Sequence, residues 1–128
     1  MPKEETPSAA AVHISWTPAH AVVAIEGKFG VEYAGAIGEQ LRAVVLGGHW
    51  YVLVDLAAVT EIDSHGLAAL ITLVKMARER GGAVRCCGAT STVYGVFELT
   101  RLHRILDFFP DSAAALAPPW DVSVAGSG

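Results

Sequence analysis

Asp63, Ser64 and His65 place a carboxylate, a hydroxyl and an imidazole in three consecutive positions, with Gly66 directly behind them. The three types invite comparison with a nucleophile–base–acid triad. A triad is assembled in space, each group aimed at the next, and three successive residues do not point that way. The strained Gly-x-Ser-x-Gly elbow is also missing, since Ile62 stands where its first glycine belongs. The position suggests a different chemistry. A buried strand leads through a short loop to Asp63, and a helical pattern begins just after it. A helix N-terminus exposes free backbone N–H groups and the positive end of the dipole. A phosphate on Ser64 is expected to accept those N–H groups. It would add roughly 1.5 to 2 negative charges, enough to reverse a docking contact. Asp and Ser are also common helix caps, so capping alone is the plainer role for the pair. His65 then reads as an exposed first-turn residue able to tune local charge near neutral pH.

Other reactive residues do not converge. His13, His20, His49 and His103 share no ligand spacing with one another or with cysteine. Cys86 and Cys87 are adjacent, so in a strand they face opposite ways and read as packing. Gly27 and Gly30 hint at a phosphate loop, but no Gly-Lys-Ser/Thr follows them. Neither a cofactor nor a metal is therefore expected. Trp16, Trp50 and Trp120 read as packing or edge residues, and Phe108-Phe109 as core closure.

These residues need elements to hold them. Val12–Thr17 and Ala21–Glu26 read as strands, with a turn at Pro18-Ala19-His20. Ile37, Leu41, Val44 and Val45 fall at helical spacing within 33–46, and Gly47-Gly48 ends that helix. Tyr51–Leu56 is nearly all apolar, as in a central strand covered on both faces. Leu67, Leu70, Ile71 and Val74 mark a second helix facing the sheet, with cations toward its end and Gly81-Gly82 after it. Ala83–Cys87 is a strand, Thr92–Leu102 a helix and Ile105–Phe109 a last short strand. Asp111 or Ser112 caps a final short helix through Leu116. Strands alternating with helices after an opening strand pair predict an α/β fold. It is a single domain with a mixed sheet of four to five strands and helices mainly on one face.

The 128 residues suit one domain, with 52% hydrophobic and 17% charged residues marking a globular chain. The formal charge is -4 and the nine Lys and Arg residues are scattered, which argues against nucleic acid as a partner. Apolar stretches break well before the ~18 residues a membrane span needs, so no direct membrane insertion is expected. Residues 1–11 lack the apolar core of a secretion signal and read as a flexible leader. The folded body is placed at 12–117, and 118–128 reads as a flexible tail. A reduced, cytoplasmic protein is expected. The pattern leaves the oligomeric state open.

The stretch Val54-Asp55-Leu56, then Ile62-Asp63-Ser64-His65-Gly66-Leu67, resembles the STAS domain of bacterial anti-sigma-factor antagonists. In that family a strand ending in Asp-Leu is followed by Ile-Asp-Ser-x-Gly-Leu opening a helix. Val96–Leu102 resembles the family's third helix and Asp111–Leu116 its closing helix, so the resemblance covers about 12–117. Three positions depart from the family pattern. A Gly-x-Leu-Asp stretch usually follows the second strand, whereas this chain reads Gly27-Lys28-Phe29-Gly30. His65 stands where Ser or Thr is usual, and Arg101 replaces a glycine that often ends the third helix.

The resemblance implies partner switching. The unphosphorylated domain would bind an anti-sigma factor that is also a serine kinase, releasing a sigma factor. Phosphorylation of Ser64 would break that complex, and a phosphatase would reset it. ATP would belong to the kinase, and this chain would regulate transcription without being an enzyme. The implied switch surface is Asp63, Ser64, His65 and Gly66 with Gly27, Lys28 and Gly30. The alternative is a STAS-type non-catalytic adaptor subunit of a membrane transport system of the phospholipid-moving kind, with Ser64 only a helix cap.

Overall fold

Thr17 begins the turn that starts the sheet. Its hydroxyl oxygen accepts the backbone N–H groups of Ala19 (3.3 Å) and His20 (2.9 Å). The chain thereby folds Ala11–Trp16 (β1) back against Ala21–Phe29 (β2) in an antiparallel pair. Ala34–Leu46 (α1) carries the chain across to Tyr51–Ile62 (β3), which pairs parallel with β2. Ser64–Glu79 (α2) leads to Ala83–Cys87 (β4), and Ser91–Leu99 (α3) with a 3-10 turn at Leu102–Arg104 leads to Asp107–Phe109 (β5). Ser112–Leu116 (α4) closes the order. The computed structural model describes residues 11–118 and 120.

The five strands lie in the order β1-β2-β3-β4-β5, parallel except for β1. Parallel neighbours need a crossover, and α1, α2 and α3 supply one for each pair. These three helices share one face. Ile37, Leu41 and Val45 of α1, Leu67, Leu70 and Val74 of α2, and Val93 and Phe97 of α3 join one core with Val23, Ile25, Val52, Val54 and Cys86. The opposite face has a smaller core of Leu53, Cys87, Ala115 and Trp120, covered by α4. Cys86 and Cys87 are free, buried and on opposite faces, as their adjacency required. Burial pushes the Cys87 thiol up to about 11 and the Cys86 thiol higher still, so neither is a reactive thiolate. The α/β class, the mixed sheet and the one-sided helix layer expected from the sequence are all present.

Three details differ. In α2 the buried residues are Gly66, Leu67, Leu70, Leu73, Val74 and Ala77, while Ile71 is only half-buried. At 100° per residue Leu73 and Ala77 lie closer to the centre of the stripe than Ile71 does. β3 runs on to Ile62 rather than stopping at Leu56. Its register with β2 slips after Asp55 and again near Thr60, and the Asp55 carboxylate accepts the Ala57 N–H at 2.9 Å. These irregularities hide the strand's later half from a period-2 reading. β5 begins at Asp107 and α3 ends at Leu99, shorter than expected. Two residues outside the expected body take part in it. Ala11 opens β1, and Trp120 is 9% exposed, stacked at 4.5 Å on His20 and beneath the Arg85 guanidinium. The remaining leader and tail positions lie outside the described residues.

Candidate functional site

Asp63 is the last residue before α2, and its side chain is the N-cap. One carboxylate oxygen accepts the N–H groups of His65 (2.8 Å) and Gly66 (3.2 Å). The other accepts the N–H of Val31 at 3.0 Å, from the loop after β2. Asp63 therefore ties the start of α2 to the β2–α1 connection, 32 residues back in the chain. Desolvation pulls its pKa upward. The N–H donors of Val31, Gly66 and His65, helped by the His65 ring, outweigh that and hold the carboxyl below its ordinary range. The His65 ring nitrogen Nδ1 lies 3.6 Å from Asp63 Oδ1, and the side chain is 57% exposed.

Ser64 occupies the first helical position and is exposed. Capping falls to Asp63, and among the described residues the Ser64 hydroxyl has no hydrogen-bond partner. This changes one expectation. The N–H groups of His65 and Gly66 are already held by Asp63, and that of Leu67 by the Asp63 carbonyl at 3.0 Å. A phosphate on Ser64 would meet an occupied helix terminus and a neighbouring carboxylate, not a free cradle of donors.

Gly66 is set by close approach. A Cβ there would run into the carbonyl oxygen of Phe29 and come within 2.9 Å of Ile62 Cγ1. Only glycine lets α2 start directly against the end of β2. Gly27 and Lys28, expected in a loop, lie on β2 opposite Val59 and Glu61. Gly27 has φ 88° at a register slip, so the strand continues through a bulge that the glycine makes possible. Gly30 follows β2 directly. A Cβ on it would sit 2.7 Å from Asp63 Oδ2, so the Asp63 carboxylate occupies the space that a side chain at position 30 would need. The structure thus brings Lys28 and Gly30 beside Asp63 at the start of α2, while Gly27 lies further back along the ladder, opposite Val59.

Two recesses flank it, and neither was read from the sequence. One, of about 280 Å³, is lined by Lys28, Glu32, Tyr33, Glu61 and Asp63. The other is a largely apolar groove of about 340 Å³ between α1 and α2, where Gly35, Gly38, Ala68, Ala69 and Met76 leave room beside His65. Val31 is also new to the site: its backbone binds Asp63 while the residue as a whole is 65% exposed. Small residues spaced along two different helices give no signal until those helices are packed together.

A family model described as "Mlab, STAS domain" matches residues 12–107. The chain belongs to the STAS domain family. No curated protein matches it. Among solved structures it is similar to an anti-sigma factor antagonist from Mycobacterium paratuberculosis. That match has 22% identity and a TM-score of 0.75, covering 87% of this chain and 94% of the other. An anti-sigma-factor antagonist (STAS) domain protein from Planctomyces limnophilus matches at 17% identity, with a TM-score of 0.74 over 82% of this chain and 94% of that one. The phosphorylated form of the Bacillus cell fate determinant SpoIIAA matches at 14% identity, with a TM-score of 0.65 over 82% and 96% of the two chains. At such identities these likenesses establish the shared STAS fold. Among the described residues no helix is long and apolar enough to cross a membrane.

Proposed function

We propose that this STAS domain is an anti-sigma-factor antagonist whose binding face is the start of α2 and whose switch is phosphorylation of Ser64. The observation that carries this reading is the Ser64 hydroxyl. It is exposed on the first residue of α2, and Asp63 relieves it of capping. A serine that is neither packed nor hydrogen-bonded is open to a kinase. The partner in this reading is an anti-sigma factor with serine kinase activity, with a phosphatase to reset the switch. ATP is bound by that kinase, and this chain acts in the cytoplasm as a binding module rather than an enzyme, without nucleic acid or membrane insertion.

Charge explains the direction of the switch. Phosphate brings roughly 1.5 to 2 negative charges and a hydration shell, and burying it without a cation costs several kcal/mol. Asp63, Glu61 and Glu32 already make the adjoining recess acidic, with Lys28 as the counter-charge there. A second anion at Ser64 adds repulsion at the contact itself.

The test is calorimetric titration of wild type, Ser64→Ala and Ser64→Asp against the cognate kinase-type anti-sigma factor, with intact-mass spectrometry after incubation with that kinase and ATP. Ser64→Ala is expected to bind as wild type does and to resist modification. Ser64→Asp is expected to bind roughly tenfold more weakly or worse, since ~1.4 kcal/mol is a factor of ten. Equal affinity for all three proteins, with equal phosphate uptake by wild type and Ser64→Ala, overturns the reading. A second reading then takes over, in which the domain is a non-catalytic adaptor of a membrane transport system. It draws on Gly30, which leaves the site without a carboxylate at that position and lets Asp63 fill the space.

A further inference from the structure

We infer that the outer edge of β1 is a self-complementary docking strand, and that two copies of this chain pair there, β1 against β1, into one continuous sheet. Among the described residues β1 has a strand partner on one side only. Its register with β2 is unbroken from Ala11↔Glu26 to Trp16↔Ala21, and the next pair is closed by the Thr17 N–H donating to the His20 carbonyl at 2.9 Å. Antiparallel pairs alternate between bonded and non-bonded. Ser15 and His13 therefore spend their N–H and C=O groups on β2, while those of Val12, Ile14 and Trp16 point outward.

The side chains of the same three residues share one face. Val12 and Ile14 pack half-buried against the helix-side core, and Trp16 stacks on His49 at 4.3 Å while remaining 54% exposed. Unprotected edges are normally blunted by Lys, by Pro or by inward charges. Ala-Val-His-Ile-Ser-Trp has none of these, and its one titratable side chain, His13, is on the other face, 3.0 Å from Glu26.

The occupant follows from register. Two antiparallel copies with Ile14 opposite Ile14 put Val12 opposite Trp16 of the other copy, twice. All three outward positions then fall in bonded pairs, giving roughly six hydrogen bonds, two per pair. Shifting the centre by one residue either way leaves one outward position unpaired in each copy. The best register also sets the small Val12 beside the large, exposed Trp16, on the face that continues the main core. The contact is isologous and closes as a two-fold dimer.

The test uses the full chain. Sedimentation equilibrium is expected to give twice the chain mass at high concentration. Trp16→Lys and Val12→Pro should each shift it toward the monomer, while Ser64→Asp should not. Val12→Pro removes an outward N–H while leaving the hydrogen bonds to β2 in place, and circular dichroism checks that both variants stay folded despite the altered packing at Val12. Ile14→Cys supplies a readout of register. The paired Cα atoms would lie about 5.5 Å apart, within disulfide reach, so mild oxidation should cross-link two copies. Ser15→Cys, set off from the two-fold axis, should not cross-link, and the native cysteines are buried. A chain that is monomeric at every concentration overturns the self-pairing and leaves the edge to a strand of another protein. A dimer that ignores Trp16→Lys and Val12→Pro and fails to cross-link through Ile14→Cys overturns it in favour of another face.

Discussion

The backbone of Gly66 rests against the carbonyl of Phe29 so closely that no side chain fits between them. This contact joins the end of β2 to the first turn of α2. It sets the start of α2 beside the β2–α1 loop, and the Asp63–Val31 bond fastens the same junction from the other side.

Gly66→Ala should accordingly be among the most harmful one-carbon changes in the chain. Overpacking a rigid backbone contact costs about 1–3 kcal/mol, because neither Phe29 nor Ile62 can move without shifting the sheet. Urea unfolding of the variant should show a midpoint lowered to match. Gly35→Ala is the control, since a Cβ there meets nothing within 4 Å. A Gly66→Ala midpoint equal to that of Gly35→Ala would mean that α2 starts elsewhere.

Asp63 should give the site a signature at low pH. Its carboxyl titrates below its unfolded value, so its contribution to stability is fully present above about pH 4 and is lost as pH falls through the folded pKa. Asp63→Asn keeps an oxygen to cap the helix but has no charge to titrate. Melting temperatures measured from pH 7 down to pH 3 should fall more for wild type than for Asp63→Asn. Parallel curves would show that the carboxylate is not held by Val31, His65 and Gly66.

Much of this could be read from residue order. Leu67, Leu70 and Val74 recur at helical spacing, Tyr51–Leu56 is uniformly apolar, and glycines follow both long helices, so the alternation of strand and helix was legible. Asp63 at a helix start was legible for the same reason, since an acidic cap before an apolar period is a local signal. What escaped depends on tertiary contact. Gly27 and Lys28 look like a loop because glycine and lysine interrupt the strand pattern, yet pairing with β3 carries β2 through them. Nor could the order of residues divide labour between Asp63 and Ser64, because either side chain can cap. Only the positions of the Val31, His65 and Gly66 N–H groups assign that role to Asp63.

The face of α2 can be checked with two neighbours. Leu70 is fully buried and Ile71 only half so. Leu70→Ala should cost about 2–5 kcal/mol. Ile71→Ala, at the edge of the stripe, should cost about 1 kcal/mol or less. Denaturant midpoints for the pair decide the matter, and equal losses would mean the helix is rotated from the position described.

Arg101 should be a site of stored strain that one substitution relieves. It has φ 65°, and among the described residues it is the one non-glycine in the left-handed region. The conformation is forced by what surrounds it. α3 ends at Leu99, Thr100 turns its hydroxyl back to the carbonyls of Val96 (2.9 Å) and Phe97 (3.2 Å), and the chain must reverse at once into the 3-10 turn at Leu102. A residue with a Cβ loses roughly 1–2 kcal/mol there, whereas glycine visits that region freely. Arg101→Gly removes the penalty but also loosens the unfolded chain, which takes back about 0.4–1 kcal/mol. The net gain should be about 0.5–1 kcal/mol, visible as a raised denaturant midpoint with an unchanged slope. Arg101→Ala separates backbone from side chain, because it deletes the guanidinium and keeps the Cβ. If backbone strain is the cause, Arg101→Ala should stay near wild type while Arg101→Gly rises above both. A gain from alanine as large as that from glycine would instead place the cost in the arginine side chain, and the left-handed turn would then be an unstrained one.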